Sequence, residues 1–368
     1  MNRAAQMIAQ TLLLLLLTEG GARLAEWIHP GGEDIVFDYA PYRMQRMVRA
    51  PWPLNREGFR AGALESYKGS FLVEFLGGSV CLGEGMNPGR PVPERLEEML
   101  HAAGLAQARV LNLCQGGASS AQELAIFTQF GLPLEPQVVV SFDGANDLMH
   151  PRPIGDDEEA NLPYRDAQMR AQFYGHHSWV AHLALARVAS RLARYAPVTR
   201  VGRVTRAGGG VAREEILGSY LYTLGLTRTL AESRGALYTV MLQPTLHFAK
   251  PWSPEETIMW TRLRPGNGEE ISRRAAALYS AAIPALGLWA RGGDTQVLDL
   301  TRVFENTPEM IYSDSVHFSG ERGYAMLSAE IQKQGLFREI TRRYQEWERR
   351  TGKVGQMMPR EVSWAPQP

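Results

Sequence analysis

Five apolar runs of strand length, separated by amphipathic stretches, constrain the fold of this chain more than any other feature. They are FLVEFL at 71–76, ARVLNLC at 108–114, QVVVSF at 137–142, ALYTVML at 236–242 and TQVLDL at 295–300. Each is almost continuously apolar, as expected of strands covered by helices on both faces of a parallel sheet. Helix candidates follow the first two runs, from Pro93 to Ala103 and from about Ser120 to Phe130. Such alternation predicts an α/β three-layer sandwich, α/β/α, with a central parallel sheet of about five strands. Ligands of such open sheets bind outside the carboxyl ends of the strands, so functional residues are expected just past each run.

The first run stops at Gly77-Gly78-Ser79, a lone hydroxyl on a permissive backbone. After the second comes NLCQGGASS, with Gly116 and Gly117; after the third, DGANDL, with Asn146; past the fifth, SDSVHFSGERG, with Asp314 and His317. A serine hydroxyl is a poor nucleophile until a base takes its proton, and His317 is the candidate base. Asp314, three residues earlier, can orient the imidazole and stabilise its charged form. The oxyanion of an acyl-transfer intermediate needs preorganised donors. The backbone N–H groups of Ser79 and Gly117 and the side-chain amide of Asn146 would supply three.

Competing chemistries fit poorly. Ser79 lies in Gly-Gly-Ser-Val-Cys, not in the Gly-x-Ser-x-Gly elbow of α/β-hydrolases. The glycines around it lack the lysine of a phosphate loop and the spacing of a dinucleotide fingerprint. No HExxH or CxxC spacing occurs, and the adjacent His176 and His177 would diverge on a helix, so neither a metal nor another cofactor is expected. Lys+Arg and Asp+Glu balance at 39 each, without the basic excess that nucleic-acid binding draws on.

Taken together, the four blocks resemble the SGNH (GDSL-type) hydrolase superfamily, over roughly 71–335. The third block, Gly144-Ala145-Asn146-Asp147, and the last, Asp314-Ser315-Val316-His317, match the family pattern. In the first, Gly78 stands where the family's aspartate usually is; in the second, Cys114 replaces the earlier glycine while Gly117 keeps the later one. The resemblance implies a carboxylic ester hydrolase with Ser79, His317 and Asp314 as its triad and no cofactor. An O-acetyltransferase, a lipase or lysophospholipase, and a non-catalytic glycan-binding or assembly factor are the alternatives.

The rest of the chain frames this core. Residues 1–21, with Arg3 and then a run ending in six leucines, Leu12–Leu17, suit a signal peptide or an N-terminal anchor of an extracytoplasmic protein. Residues 22–69 are expected to be an irregular surface extension, 70–350 the hydrolase domain, and 351–368 a mobile tail. Two blocks, at 150–212 and 243–266, follow the third and fourth strands and should overhang the active edge. The second carries His247, Trp252, Trp260 and Arg262, whose flat faces and donors suit an acylated carbohydrate, although the tryptophans could equally pack the loop onto the domain. Cys81 and Cys114 are expected as two buried thiols, with a disulfide as the alternative in an exported protein. Glu74, within an apolar run, is expected to face a sheet edge or to pair with an arginine.

Overall fold

The computed structural model describes residues 3–28, 35–84, 89–149, 213–291 and 295–352. The whole block at 150–212, including its helix candidate at 178–195, and the tail beyond Gly352 lie outside the described residues.

Five parallel strands form the sheet: β3 (Phe71–Gly77), β4 (Ala108–Asn112), β5 (Val138–Asp143), β6 (Leu237–Leu242) and β7 (Gln296–Asp299). Their order is β4-β3-β5-β6-β7. The first of these strands in sequence is therefore internal. Side chains alternate across it, so Phe71, Val73 and Phe75 join one apolar core while Leu72 and Leu76 join the other.

Helices close both faces. The first core takes Leu96 and Leu100 of α3 (Val92–Ala102), Tyr324, Leu327 and Ile331 of α9 (Glu321–Lys333), and Ile340, Tyr344 and Trp347 of α10 (Leu336–Thr351). The second takes Ile126 of α4 (Ser120–Ile126), Tyr220 and Leu224 of α6 (Arg213–Ser233), and Tyr279 and Leu286 of α8 (Gly268–Ala290). The three-layer α/β/α sandwich is thus present. Short helices α2 (Ser79–Leu82) and α5 (Ala145–Leu148) begin directly after β3 and β5, and α7 (Pro254–Leu263) follows β6.

Three expectations change. The segment at 22–69 is not a surface extension. Its strands β1 (Val36–Ala40) and β2 (Met44–Arg49) form an antiparallel hairpin, and Met47, Trp52, Phe59, Leu64 and Tyr67 are buried in the two cores. Arg43, at the hairpin turn, lies 4.9 Å from the ring centres of both Phe59 and Phe130. Burial, with Arg46 nearby, lowers its pKa to about 10.

The two cysteines are bonded to each other rather than free. Parallel pairing of β3 with β4 ends both strands at the same level, which brings the Cα atoms of Cys81 and Cys114 within 5.7 Å.

Glu74 neither faces an edge nor meets an arginine. It is fully buried on an internal strand, and neither carboxyl oxygen has a hydrogen-bond partner among the described residues. Burial pushes its pKa well above the ordinary carboxylate range, so the group is held neutral. Gly131 makes room for it, since a Cβ there would stand 2.4 Å from Glu74 Oε2.

Helix α1 (Arg3–Ile28) continues past residue 21 and exposes Leu13, Leu14, Leu16 and Leu17. No helix among the described residues is long and apolar enough to cross a membrane.

Candidate active site

Ser79 is placed by the abrupt end of β3. A Cβ on Gly77 would meet the Phe142 carbonyl at 2.4 Å, and one on Gly78 would meet Asn146 Nδ2 at 2.5 Å. A side chain at 78 would therefore require the Asn146 amide to shift, and glycine leaves that amide in place. Ser79 then opens α2, where a first-turn N–H has no acceptor within its own helix.

His317 arrives from the loop after β7. Its Nε2 lies 2.6 Å from Ser79 Oγ and its Nδ1 lies 2.6 Å from Asp314 Oδ2. An ionised carboxylate only accepts, so Nδ1 carries the proton and Nε2 accepts from the serine hydroxyl. Asp314 Oδ1 also accepts from the backbone N–H groups of Val316 and His317, each at 2.8 Å. Burial opposes the charged form of Asp314, but these bonds and the imidazole outweigh it and leave its pKa lowered. Burial likewise opposes charge on His317, yet the hydrogen bond and charge of Asp314, with the charge of Glu84, raise its pKa above the ordinary 6.5.

The block at 243–266 braces this loop. Fully buried Glu256 pairs with Lys250 Nζ at 2.6 Å, while its other oxygen accepts from the N–H groups of Ile311 and Tyr312 at 2.9 Å. Thr245 Oγ1 donates to the Ser315 carbonyl at 2.9 Å. Thus the segment after β6 holds the turn that carries His317.

Asn146 and Gly117 complete the set. Gly144 turns the chain after β5 with φ 109°, and Asp147 accepts from the backbone N–H and hydroxyl of Ser120. Asn146 Nδ2 donates to the Ala118 carbonyl at 2.7 Å, and an amide nitrogen carries a second proton for another acceptor. Gly117 sits at φ 69°, a conformation that side chains resist.

Ser79, Gly117, Asn146, Asp314 and His317 all line one open cleft of about 490 Å³. Of the aromatic and basic residues expected to touch substrate, Trp260 reaches this cleft; His247, Trp252 and Arg262 do not line it. Trp260 is 95% buried, leaving 5% exposed, and its indole N–H donates to the Gly268 carbonyl at 3.2 Å. Trp252 donates to the Leu246 carbonyl at 2.7 Å, and the His247 ring packs 4.4 Å from that of Trp260. These rings chiefly pack the block onto the domain.

Phe37, Glu84, Leu263 and Arg264 line the cleft without having been expected there. Glu84 is the carboxylate that acts on His317, and burial raises its own pKa. Among the described residues, no three His, Cys, Asp or Glu side chains gather as a metal site.

No protein-family model matches the chain. No curated protein matches it either. Among solved structures, a variant of an acetylxylan esterase from Geobacillus stearothermophilus is 12% identical, with a TM-score of 0.42, covering 73% of this chain and 94% of its own. A GDSL-like lipase from Bacteroides thetaiotaomicron is 14% identical, with a TM-score of 0.36 and coverages of 75% and 90%. The residues that gather at this cleft are those of the four sequence blocks by which the chain resembles the SGNH (GDSL-type) hydrolases.

Proposed function

We propose that this chain is a serine esterase that cleaves O-acyl esters through an acyl-enzyme. The observation that carries the reading is the continuous hydrogen-bonded set from Ser79 through His317 to Asp314. His317 takes the Ser79 proton as Oγ attacks the ester carbonyl, then returns it to the leaving alcohol. A second cycle with water releases the acid. The N–H groups of Ser79 and Gly117 and the amide of Asn146 receive the oxyanion in both halves.

The acyl group in this reading is short, most simply acetyl, and the alcohol is a carbohydrate or other polar surface polymer. The cleft is lined by Glu84 and Phe37, which both approach Gly116, and by Arg264 and Trp260 of the segment after β6. Charged and aromatic groups of this kind suit a hydroxyl-rich alcohol better than a lipid chain. The reaction is assigned to an extracytoplasmic compartment. The Cys81–Cys114 disulfide, of a kind kept in oxidising environments, and the exposed leucines of α1 as a leader or membrane attachment support this.

A panel of short- and long-chain nitrophenyl esters with acetylated polysaccharides tests the reading. Acetate release from the polysaccharide and a preference for the short ester are expected. Preference for the long ester without acetate release would overturn the carbohydrate assignment, and acetyl transfer to an added sugar in place of hydrolysis would make the chain an acetyltransferase.

A further inference from the structure

The glycine pair after β4 forms a tight turn. Ala118 N–H donates to the Gln115 carbonyl at 3.0 Å, and of the two residues between them only Gly117 has positive φ, 69°. That is the signature of a type II turn. A type II turn differs from a type I turn chiefly by a flip of its central peptide, here the one joining the Gly116 carbonyl to the Gly117 N–H. With glycine on both sides, neither state is enforced by a side chain. The flip matters because this N–H is one of the oxyanion donors.

A side chain from the N-terminal hairpin grips that peptide. Gln45 Nε2, on β2, donates to the Gly116 carbonyl at 2.6 Å. A trans peptide holds its C=O and N–H in opposite directions, so a bond that fixes the Gly116 oxygen toward Gln45 fixes the Gly117 N–H away from it. A second amide crosses in the opposite sense, Gln115 Nε2 donating to the Arg43 carbonyl at 3.1 Å. Phe37 of β1 closes on the same turn, 3.3 Å from where a Cβ of Gly116 would stand. The start of the loop is fixed separately, by the Cys114 disulfide and by Gln115 N–H donating to the Gly77 carbonyl at 2.9 Å.

We infer that Gln45 is a positioning residue for the oxyanion hole, latching the Gly116–Gly117 peptide in the orientation that presents the Gly117 N–H to the substrate. This rests on the esterase reading above. It gives the hairpin a part in the reaction although neither of its strands supplies a reacting atom.

Two variants separate the latch from simple packing. Gln45→Met keeps the length and loses the donor; Gln45→Lys keeps a donor of similar reach. With p-nitrophenyl acetate, Gln45→Met should lower kcat about tenfold, less than the 10²–10³ of a deleted oxyanion donor. KM should stay within about twofold, and a boronic acid that forms a tetrahedral adduct should bind about tenfold more weakly. Gln45→Lys should recover most of both losses.

An unchanged kcat in Gln45→Met overturns the inference alone, provided the wild type turns over the ester and reacts with a fluorophosphonate. Equal losses in both variants, with a lowered melting temperature, also overturn it and make Gln45 a packing residue. A wild type inert to both reagents overturns the esterase reading, and this inference with it.

Discussion

His317 Nε2 lies 2.6 Å from Ser79 Oγ although 238 residues separate the two. Their meeting follows from the sheet order. The strand before Ser79 is internal, and the loop after the edge strand β7 reaches back across the carboxyl edge to it, held by Glu256 and Thr245.

The pH profile should report the electrostatics of that pair. Catalysis needs neutral His317 to accept the serine proton, so activity falls as pH drops through its raised pKa. The acid limb of kcat/KM should therefore lie above the ordinary imidazole value of 6.5. Glu84→Gln removes one of the charges that raise it, and the limb should move to lower pH. An unmoved limb would place the charge of Glu84 outside the reach of His317.

Asn146→Ala should lower kcat by about 10²–10³ with a smaller change in KM, because its amide matters most once charge develops on the carbonyl oxygen. Steady-state kinetics on a short ester would show this. A change confined to KM would make Asn146 a ground-state contact.

Glu74→Met removes two buried oxygens that have no partner among the described residues and roughly conserves volume. It should stabilise the fold by about 1–3 kcal/mol at mildly acid pH. The gain should grow as pH rises above the ordinary 4.5. In that range the unfolded chain releases a proton that folded Glu74 retains, so the wild type loses stability with pH and the variant does not. Urea melts at several pH values measure it; a variant less stable than wild type throughout would mean that Glu74 has a partner.

The strands, the layers and the gathering of Ser79, Gly117, Asn146, Asp314 and His317 at one cleft were legible because each rests on local signals. Apolar runs mark doubly covered strands, and Gly-Gly-Ser, Gly-Ala-Asn-Asp and Asp-Ser-Val-His lie directly after strands or just before a helix. What depended on strand order was not legible. Glu74 looks like an edge residue until its strand is found inside the sheet, and the disulfide exists because β3 and β4 are neighbours in register. The hairpin at 36–49 alternates weakly and carries Arg, Gln and Asp, so nothing local marked it as a wall of the cleft. Glu84 and Arg264 are single charges without a spacing pattern. Trp252 and His247 illustrate the opposite error, since an aromatic residue on a polar block reads alike whether it meets a sugar or packs a loop.

The most direct measurement is titration with a fluorophosphonate probe, with the labelled peptide identified by mass spectrometry. The wild type should take up one equivalent at Ser79, and Ser79→Ala and His317→Ala should each lose labelling and most ester turnover, by several orders of magnitude, with the double variant losing little more. Near-normal ester turnover by Ser79→Ala would contradict the account, because the hydroxyl aligned with His317 would not then be the nucleophile.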